Sequence, residues 1–286
     1  MIKRETSSKT KKVCTFGEIL FRFALPDEQN WIIKPKISAY LGGAELNVAN
    51  ALSCWKIPVK YCTAMPDNFI SAQIEKSLEQ KDIDTSGIVK FGERIGTYYL
   101  TENAQIQHTG IVYDRQNSSF SHLKIGMIDW EMVLEDCDWF HFSAIVPALN
   151  ENLVAVCHEA LKAATQKGIT ISIDLNYRSK LWTYTPDIIS VMQPLVAQCD
   201  VVMGNVWSAQ TLIATSLNDK VKNVLHPENC LEQATETSVE IFKKYPKVKF
   251  VANTFRFSED ERTTYYGTLH TVSVETLHCN VSTIRV

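Results

Sequence analysis

The chain has 286 residues, of which 45% are hydrophobic, and this is enough for one large or two small α/β domains with a buried core. A formal net charge of −3 and an isoelectric point near 6.2 offer no basic face to a nucleic acid. No apolar run is long enough to span a bilayer. These properties favour a globular, cytoplasmic protein that binds a small molecule.

The eight cysteines are scattered along the chain and include no C-x-x-C pair. Several of them lie inside apolar strand or helix patterns. This spacing is typical of reduced, buried thiols and disfavours zinc ligands or a disulfide framework. We therefore expect no metal site built from the protein's own cysteines, and a reducing compartment.

Six short apolar runs predict strands, and five amphipathic segments between them predict helices. The runs are residues 13–20, 59–65, 139–145, 169–176, 200–206 and 248–255. The helical segments are residues 44–55, 68–80, 151–167, 187–198 and 228–244. Strands that alternate with helices indicate an α/β fold with a parallel sheet covered on both faces.

Residues 20–41 and 93–122 interrupt this alternation. Both contain runs of period two with polar turns and no helical segment, which predicts a small antiparallel sheet projecting from the α/β body. We call this sheet the lid. Because the sequence shows no repeats and no flexible linker, we expect a single domain over residues 1–286. An exposed lid edge is best protected by a second lid, so we also expect a homodimer.

The stretch LGGAELNVAN places Gly42 and Gly43 at the start of the first predicted helix. Glycines there let a ligand approach the backbone N–H groups, and the helix N-terminus favours a negatively charged ligand. Asn47 lies one turn further along and can offer its amide to the same ligand. A simple Gly-Gly turn between lid and helix is the commoner explanation of such a pair. Three apolar residues at helical spacing predict the face that packs on the sheet: Val48, Leu52 and Trp55.

The stretch ISIDLNYRSKLW places Asp174 and Asn176 at the carboxyl end of a predicted strand. Open α/β sheets bind ligands at this end of their strands. Arg178 follows in the turn, where a guanidinium can pair with a carboxylate or phosphate. The alternative, an aspartate that caps the next helix beside a surface arginine, remains open at this point.

The order of these motifs is similar to that of the ribokinase-like, PfkB-type sugar kinases. G-G-A-x-x-N-x-A is followed by a tyrosine-rich lid, by D-x-N-x-R, and by an asparagine at the end of the next strand, over residues 13–267. The resemblance implies a three-layer α/β/α fold with a mostly parallel central sheet and a β lid. It also implies phosphorylation of a sugar by ATP with Mg²⁺. Asn205 and Thr254 would face the ATP, while the glycines, Asn47 and the lid would surround the sugar.

Within this family the chain most resembles the 2-keto-3-deoxygluconate kinases. GTYYL supplies Tyr98 or Tyr99, and VYDR supplies Tyr113 and Arg115. The resemblance implies that these residues bind a sugar acid. Its carboxylate needs cationic partners, which Arg115 and Arg178 could provide from opposite sides of a pocket.

A further residue in this comparison is Arg22, which stands where many neutral-sugar kinases of the family carry an aspartate. Its charge also disfavours a neutral sugar, unless the side chain simply faces water at the base of the lid. A neutral sugar such as fructose remains an alternative substrate.

Two departures from the family pattern concern catalysis. The N-x-x-E segment reads Asn205-Val206-Trp207-Ser208, and the D-x-x-G-x-G-D segment that supplies the catalytic base does not occur. No catalytic residue can therefore be assigned. We expect a C-terminally incomplete chain, truncated, frameshifted or naturally divergent, that transfers phosphate very slowly or not at all. A sugar-acid-binding pseudokinase is the alternative to a kinase, and a dinucleotide-dependent oxidoreductase is a distant third.

Overall fold

The computed structural model describes residues 11–25, 37–101, 111–219, 221, 227–259, 262–272, 276–279 and 283–285. The chain divides into two compact units, Met1–Phe140 (unit 1) and His141–Val286 (unit 2). A single domain over residues 1–286 stays a prediction. None of the helices in the described ranges has the length and apolarity needed to cross a bilayer.

Unit 1 contains a parallel sheet and the lid. Its strands are β1 (Lys12–Phe16), β2 (Leu20–Leu25), β3 (Ser38–Gly42), β4 (Val59–Met65), β5 (Ile83–Lys90), β6 (Gly96–Thr101), β7 (Val112–Asp114) and β8 (Cys137–Ser143), whose last three residues belong to unit 2. Its helices are α1 (Ala44–Cys54), α2 (Phe69–Glu79) and the single turn α3 (Trp130–Val133). Strands β1, β4 and β5 pair in parallel, and β8 lies beside β1.

Helix α1 packs on this sheet through Leu46 and Ala49, which are fully buried in a cluster with Tyr61 and Met65 of β4. Val48 and Leu52 are half-buried at the edge of that face. The prediction that Trp55 packs on the sheet is wrong, since its side chain is 71% exposed. The helix ends at Cys54, so Trp55 lies past the last turn and no longer follows the helical period.

The lid is a four-stranded sheet in the order β3-β2-β6-β7. Strands β2 and β3 pair antiparallel, as do β6 and β7, but the central strands β2 and β6 run parallel. The lid is therefore a mixed sheet where we predicted antiparallel pairing, because β6 arrives from the parallel sheet in the same direction as β2. The parts of the predicted lid at 26–36 and 102–110 lie outside the described residues.

The apolar run at 13–20 forms two strands and not one. β1 ends at Phe16 and β2 begins at Leu20, so Gly17, Glu18 and Ile19 form a break between the parallel sheet and the lid. A side chain at position 17 would overlap the carboxylate of Glu45 on α1, which explains the glycine there. The break turns the Glu18 side chain into the protein interior.

Unit 2 contains a second set of parallel strands and a C-terminal antiparallel part. Its strands are β9 (Thr170–Asp174), β10 (Val201–Gly204), β11 (Phe250–Glu259), β12 (Arg262–Thr271), β13 (Thr276–Cys279) and β14 (Thr283–Arg285). Its helices are α4 (Glu151–Gln166), α5 (Ile188–Val196), α6 (Val206–Ile213) and α7 (Pro227–Lys244). Strands β9, β10 and β11 are parallel, β12 returns antiparallel, and β13 and β14 both pair with β12.

The α/β class is confirmed: parallel strands joined by helices form most of the protein, and a smaller sheet contains the antiparallel lid pairs. The cysteines agree with the sequence interpretation too. Those with described side chains are all free, and only Cys54 among them is exposed.

One ionisable side chain of unit 2 lies deep in the core. His141 on β8 is 5% exposed, and its Nδ1 lies 2.8 Å from Oγ of Ser172 on β9. Burial lowers the pKa of His141 to about 4, because the charged ring loses its hydration. The ring is therefore neutral at physiological pH.

This histidine predicts acid sensitivity. Its pKa is lower in the folded chain than the ordinary 6.5, so the unfolded chain binds the extra proton first and stability falls as the pH drops from 6.5 towards 4. At pH 5 the loss is about 2 kcal/mol. In urea unfolding, the free energy of unfolding should change between pH 7.5 and pH 5 by about 2 kcal/mol less in His141→Gln than in the wild-type chain. The exposed His122, changed to Gln, serves as control, and an unchanged pH dependence in His141→Gln would contradict the assignment.

Candidate functional site

Gly42 and Gly43 are required by contacts within unit 1. Gly42 ends β3, and a Cβ atom there would lie 3.0 Å from the hydroxyl oxygen of Tyr98. Gly43 precedes α1 with a φ of 136°, a conformation that side chains rarely adopt, and a Cβ would overlap the backbone oxygen of Glu18. The structural explanation is therefore sufficient for Gly43, while Gly42 relieves a tight contact with Tyr98, and contact of either glycine with a ligand stays a proposal.

The first turn of α1 carries no side-chain cap, since its N-cap residue is Gly43. The backbone N–H of Asn47 donates to the Gly43 oxygen at 3.0 Å, while the Asn47 side chain is exposed. Asn47 thus lies on the open side of the first turn, where its amide is accessible.

Four lid residues form a row across the sheet. Tyr40 of β3 is opposite Arg22 of β2, Arg22 is opposite Tyr98 of β6, and Tyr98 is opposite Tyr113 of β7. Residues paired in this way project from the same face of a sheet. The Arg22 guanidinium carbon lies 4.6 Å from the Tyr40 ring centroid, and the Tyr98 and Tyr113 rings are 6.1 Å apart. We call this row the Arg22 face.

Tyr98 and Tyr99 lie on opposite faces of the lid, because adjacent strand residues alternate. Tyr99 stacks on Phe23 with ring centroids 5.3 Å apart. Of the two candidate tyrosines, Tyr98 is the one that shares a face with Tyr113.

Arg115 follows β7 and is buried against Glu18. Its Nε and Nη2 atoms each lie 2.5 Å from Oε2 of Glu18, and the Ser118 hydroxyl donates to Oε1 of the same carboxylate. Glu18 is 2% exposed and Arg115 is 8% exposed. Sequence reasoning missed Glu18. A carboxylate inside an otherwise apolar run was the available signal, but nothing in the sequence indicated its partner.

The Arg22 face is electropositive around the Tyr98 hydroxyl. Burial raises the pKa of Tyr98, and the positive charges of Arg22 and Arg115 oppose this rise. The structure thus brings together Tyr98, Tyr113 and Arg115 of the predicted substrate residues, and adds Arg22 to them. Such an environment favours an anionic or hydroxyl-rich ligand.

In unit 2, Asp174 ends β9 and Asn176 follows it, both half-buried. Burial raises the pKa of Asp174 to about 6, although the Arg178 charge and the Asn176 backbone N–H act in the opposite direction. Arg178 is exposed and donates from Nη1 to its neighbour's backbone oxygen at 2.9 Å. The next helix begins only at Ile188, so Asp174 does not cap it.

The predicted nucleotide residues also lie in unit 2. Asn205 caps α6, its Oδ1 accepting from the Ser208 backbone N–H at 2.8 Å. Ser208 is buried at the place where the family has a glutamate. Thr254 is exposed on β11 opposite Gly267 of β12, and the neighbouring Phe255 packs edge-on against Trp207 of α6.

No set of three histidine, cysteine or acidic side chains converges as metal ligands within the described ranges.

Comparison with known proteins identifies relatives of both the sequence and the fold. A curated relative, the 2-dehydro-3-deoxygalactonokinase of Haloferax volcanii, is 29% identical over 195 residues, which are 68% of this chain and 61% of that protein. The chain thus spans about three fifths of the length of that relative.

Solved structures give the same picture. The 2-dehydro-3-deoxygluconokinase of Thermotoga maritima superposes with a TM-score of 0.83 at 30% identity, covering 96% of this chain and 82% of that one. A ribokinase of Escherichia coli in complex with ATP and Mg²⁺ has a TM-score of 0.68 at 18% identity, covering 94% and 78%, which shows a shared fold alone.

The fold is therefore ribokinase-like, as the motif order predicted. The family model for pfkB family carbohydrate kinases matches residues 10–237, which is most of the chain and includes both the Arg22 face and the Asp174–Arg178 segment. The chain belongs to the PfkB family of carbohydrate kinases.

Proposed function

We propose that the protein binds a six-carbon 2-keto-3-deoxy sugar acid for phosphorylation by ATP. The observation that supports this most is the Arg22 face, where Tyr98 lies between Arg22 and Tyr113 in one row. Hydroxyl donors beside guanidinium groups suit a ligand that combines hydroxyls with a carboxylate. Relatives named as kinases of 2-dehydro-3-deoxy sugar acids, which are 2-keto-3-deoxy acids, point to the same substrate class.

In unit 1, the proposed substrate residues are those at the start of α1 and on the lid. Gly42, Gly43 and Asn47 offer backbone and amide groups, and Tyr98 and Tyr113 offer hydroxyls. Arg115 keeps its place as a donor to a substrate oxygen, although its charge is balanced by Glu18. Tyr99 stays in the proposal only as a residue that supports the lid from its other face.

In unit 2, we assign Asp174 and Asn176 to substrate hydroxyls and Arg178 to the carboxylate. The exposed guanidinium of Arg178 makes only one hydrogen bond, to its neighbour's backbone oxygen, among the contacts described for it, so it can turn towards a ligand. The raised pKa of Asp174 supports this role, because burial costs the ionised carboxylate part of its hydration. A hydrogen bond from a ligand hydroxyl can replace that hydration.

For the nucleotide, we assign Asn205, which follows β10, and Thr254, which lies in the middle of β11 and not at its end as the sequence suggested. Mg²⁺ would be bound mainly through ATP phosphate oxygens, where it neutralises charge that develops during phosphoryl transfer. Asn205 orders the first turn of α6, and the N–H groups of that turn favour anionic oxygens.

A sugar-acid-binding protein without turnover is the second candidate. Ser208 at the third position of α6 supports it, because the resemblance to sugar kinases implies an acidic side chain there that organises Mg²⁺ and phosphate. Mixing the 286-residue chain with ATP, Mg²⁺ and 2-keto-3-deoxygluconate separates the two candidates. ADP release above the rate without sugar supports the kinase, and binding without release supports the second candidate.

We also propose that the protein is a cytoplasmic homodimer. The free, mostly buried thiols suit a reducing compartment. The lid ends in edge strands β3 and β7, on which Val112 is 59% exposed and Tyr40 is 47% exposed. A second copy that pairs along such an edge would cover both the apolar side chains and the unpaired backbone groups.

The role of Arg178 predicts selective loss of acid binding. Calorimetry should show that Arg178→Ala weakens 2-keto-3-deoxygluconate roughly tenfold or more, since one charge-assisted hydrogen bond contributes about 1.5 to 3 kcal/mol. Fructose, which lacks the carboxylate, should lose little. Lys162→Ala on the exposed side of α4 is the matched control. Equal losses for both sugars would refute the carboxylate assignment.

The raised pKa of Asp174 predicts that removing its charge stabilises the fold but weakens sugar binding. Its folded pKa of about 6 lies above the ordinary 3.8, so its contribution to stability is present below pH 3.8 and is lost as the pH rises through 6. Asp174→Asn should therefore raise the free energy of unfolding at pH 7.5 by up to about 3 kcal/mol, with no gain at pH 3.5. The same variant should bind the sugar acid more weakly.

Denaturant unfolding at both pH values and calorimetry test this pair of effects, with the exposed Asp138→Asn as control. A destabilised variant at pH 7.5 would show that the carboxylate has a structural partner. An undiminished affinity would remove Asp174 from the substrate site.

If the protein dimerises through the lid, a charge on the lid edge should lower its molecular mass in solution. Val112→Lys places a charge on the edge strand β7 and should convert the dimer to a monomer in light scattering after size exclusion. Ile125→Lys, at a position that is 61% exposed outside the lid strands, should remain dimeric. A monomeric wild-type protein, or a dimeric Val112→Lys variant, would contradict the lid dimer.

A further inference from the structure

The lid region contains three arginines, and two of them form ion pairs with carboxylates. Arg94 pairs with Asp114, its Nη2 atom lying 2.8 Å from Oδ2. Arg115 pairs with the buried Glu18. Arg22 makes no ion pair with a carboxylate of the residues that the structure describes. Among the lid arginines, Arg22 is therefore the one without an ion-paired carboxylate in the described ranges.

The position of Arg22 is fixed by the sheet. It lies on the central strand β2, with Tyr40 on one side and Tyr98 on the other in the same row. Its guanidinium packs over the Tyr40 ring, with 4.6 Å between the guanidinium carbon and the ring centroid. Stacking on a ring uses the face of the guanidinium and leaves its N–H donors, which lie in the plane, able to bind a carboxylate in the bidentate manner.

Arg115 differs from Arg22 in the charge that it presents. Two of its nitrogen atoms contact one carboxylate oxygen of Glu18, and both residues are buried. Opposite charges at this distance largely cancel for any third group placed further away. A ligand near Tyr98 and Tyr113 therefore meets the Arg115–Glu18 pair as a neutral donor and meets Arg22 as a cation.

We propose that Arg22 is the specificity-determining residue of the lid and adds a cation for the sugar carboxylate to the one assigned to Arg178, while Arg115 is a donor that Glu18 positions. This inference rests on the proposed function, because it assumes that the Arg22 face contacts the sugar. It assigns the choice between an acid and a neutral sugar in unit 1 to an arginine that no described carboxylate pairs with. The half-buried setting of Arg22 strengthens that choice, since screening by water is reduced there.

The experiment compares two ligands that differ only in charge at one end. 2-Keto-3-deoxygluconate is the acid, and 3-deoxyfructose is its neutral analogue, in which a hydroxymethyl group replaces the carboxylate. Calorimetry gives the affinity of both for the wild-type chain, Arg22→Gln, Arg22→Lys and the control Lys124→Gln, which removes an exposed charge outside the lid strands. Thermal unfolding of each variant accompanies the titrations.

Arg22→Gln should reduce the ratio of acid to neutral affinity by roughly tenfold or more, with the neutral affinity changed less than threefold. Arg22→Lys should keep part of the ratio, because the charge remains and the bidentate geometry is lost. Lys124→Gln should keep all of it. The preference of the wild-type chain for the acid should also weaken as salt is raised from 50 to 500 mM.

Two results would overturn the inference while leaving the proposed function intact. One is a wild-type preference for the acid that survives in Arg22→Gln. The other is an Arg22→Gln variant that melts like the wild type and loses both ligands equally. A wild-type chain that shows no preference for the acid overturns the proposed function, and the inference with it.

Discussion

The buried ion pair between Glu18 and Arg115 is the interaction on which the lid and the candidate site depend. It joins residues 97 positions apart in the sequence, one at the break after β1 and one just past β7. Burying a single charge of this kind is costly, and removing either partner typically destabilises a protein by several kcal/mol. The Ser118 hydroxyl completes the hydrogen bonding of the carboxylate. The first and last strands of the lid are thereby fixed to the same point of the parallel sheet.

Other features of unit 1 follow from this point. The backbone oxygen of Glu18 occupies the space beside Gly43, so the turn into α1 requires a glycine with positive φ. The side chain of Glu18 also approaches Gly96 at the start of β6, where a Cβ would lie 2.6 Å from Oε1. Strands β2 and β6 then run parallel through the lid and bring Arg22 beside Tyr98. Glu18 thus contacts the start of α1 and the start of β6, and it balances the charge of Arg115.

Local patterns in the sequence were sufficient for most of the parallel strands, for most helices and for the strand-end position of Asp174, since these depend on periodicity. They were insufficient wherever a contact between residues distant in the sequence determines the local structure. The sequence suggested one strand over residues 13–20, because the partner of Glu18 lies far away. The sequence left Tyr98 and Tyr99 as alternatives, because the strand pairing that places Tyr98 opposite Tyr113 is not visible in it. Helix α6 and strand β5 were missed, the latter because its apolar residues are sparse and its pairing with β4 contains a bulge.

The most direct test of this account is a crystal structure of the chain with bound 2-keto-3-deoxygluconate. The account predicts a sugar carboxylate within hydrogen-bonding distance of the Arg22 guanidinium, the Tyr98 and Tyr113 hydroxyls towards the same ligand, and Arg115 still paired with Glu18. A carboxylate bound by Arg115, with Glu18 displaced from it and Arg22 turned to solvent, would contradict the central role of the ion pair.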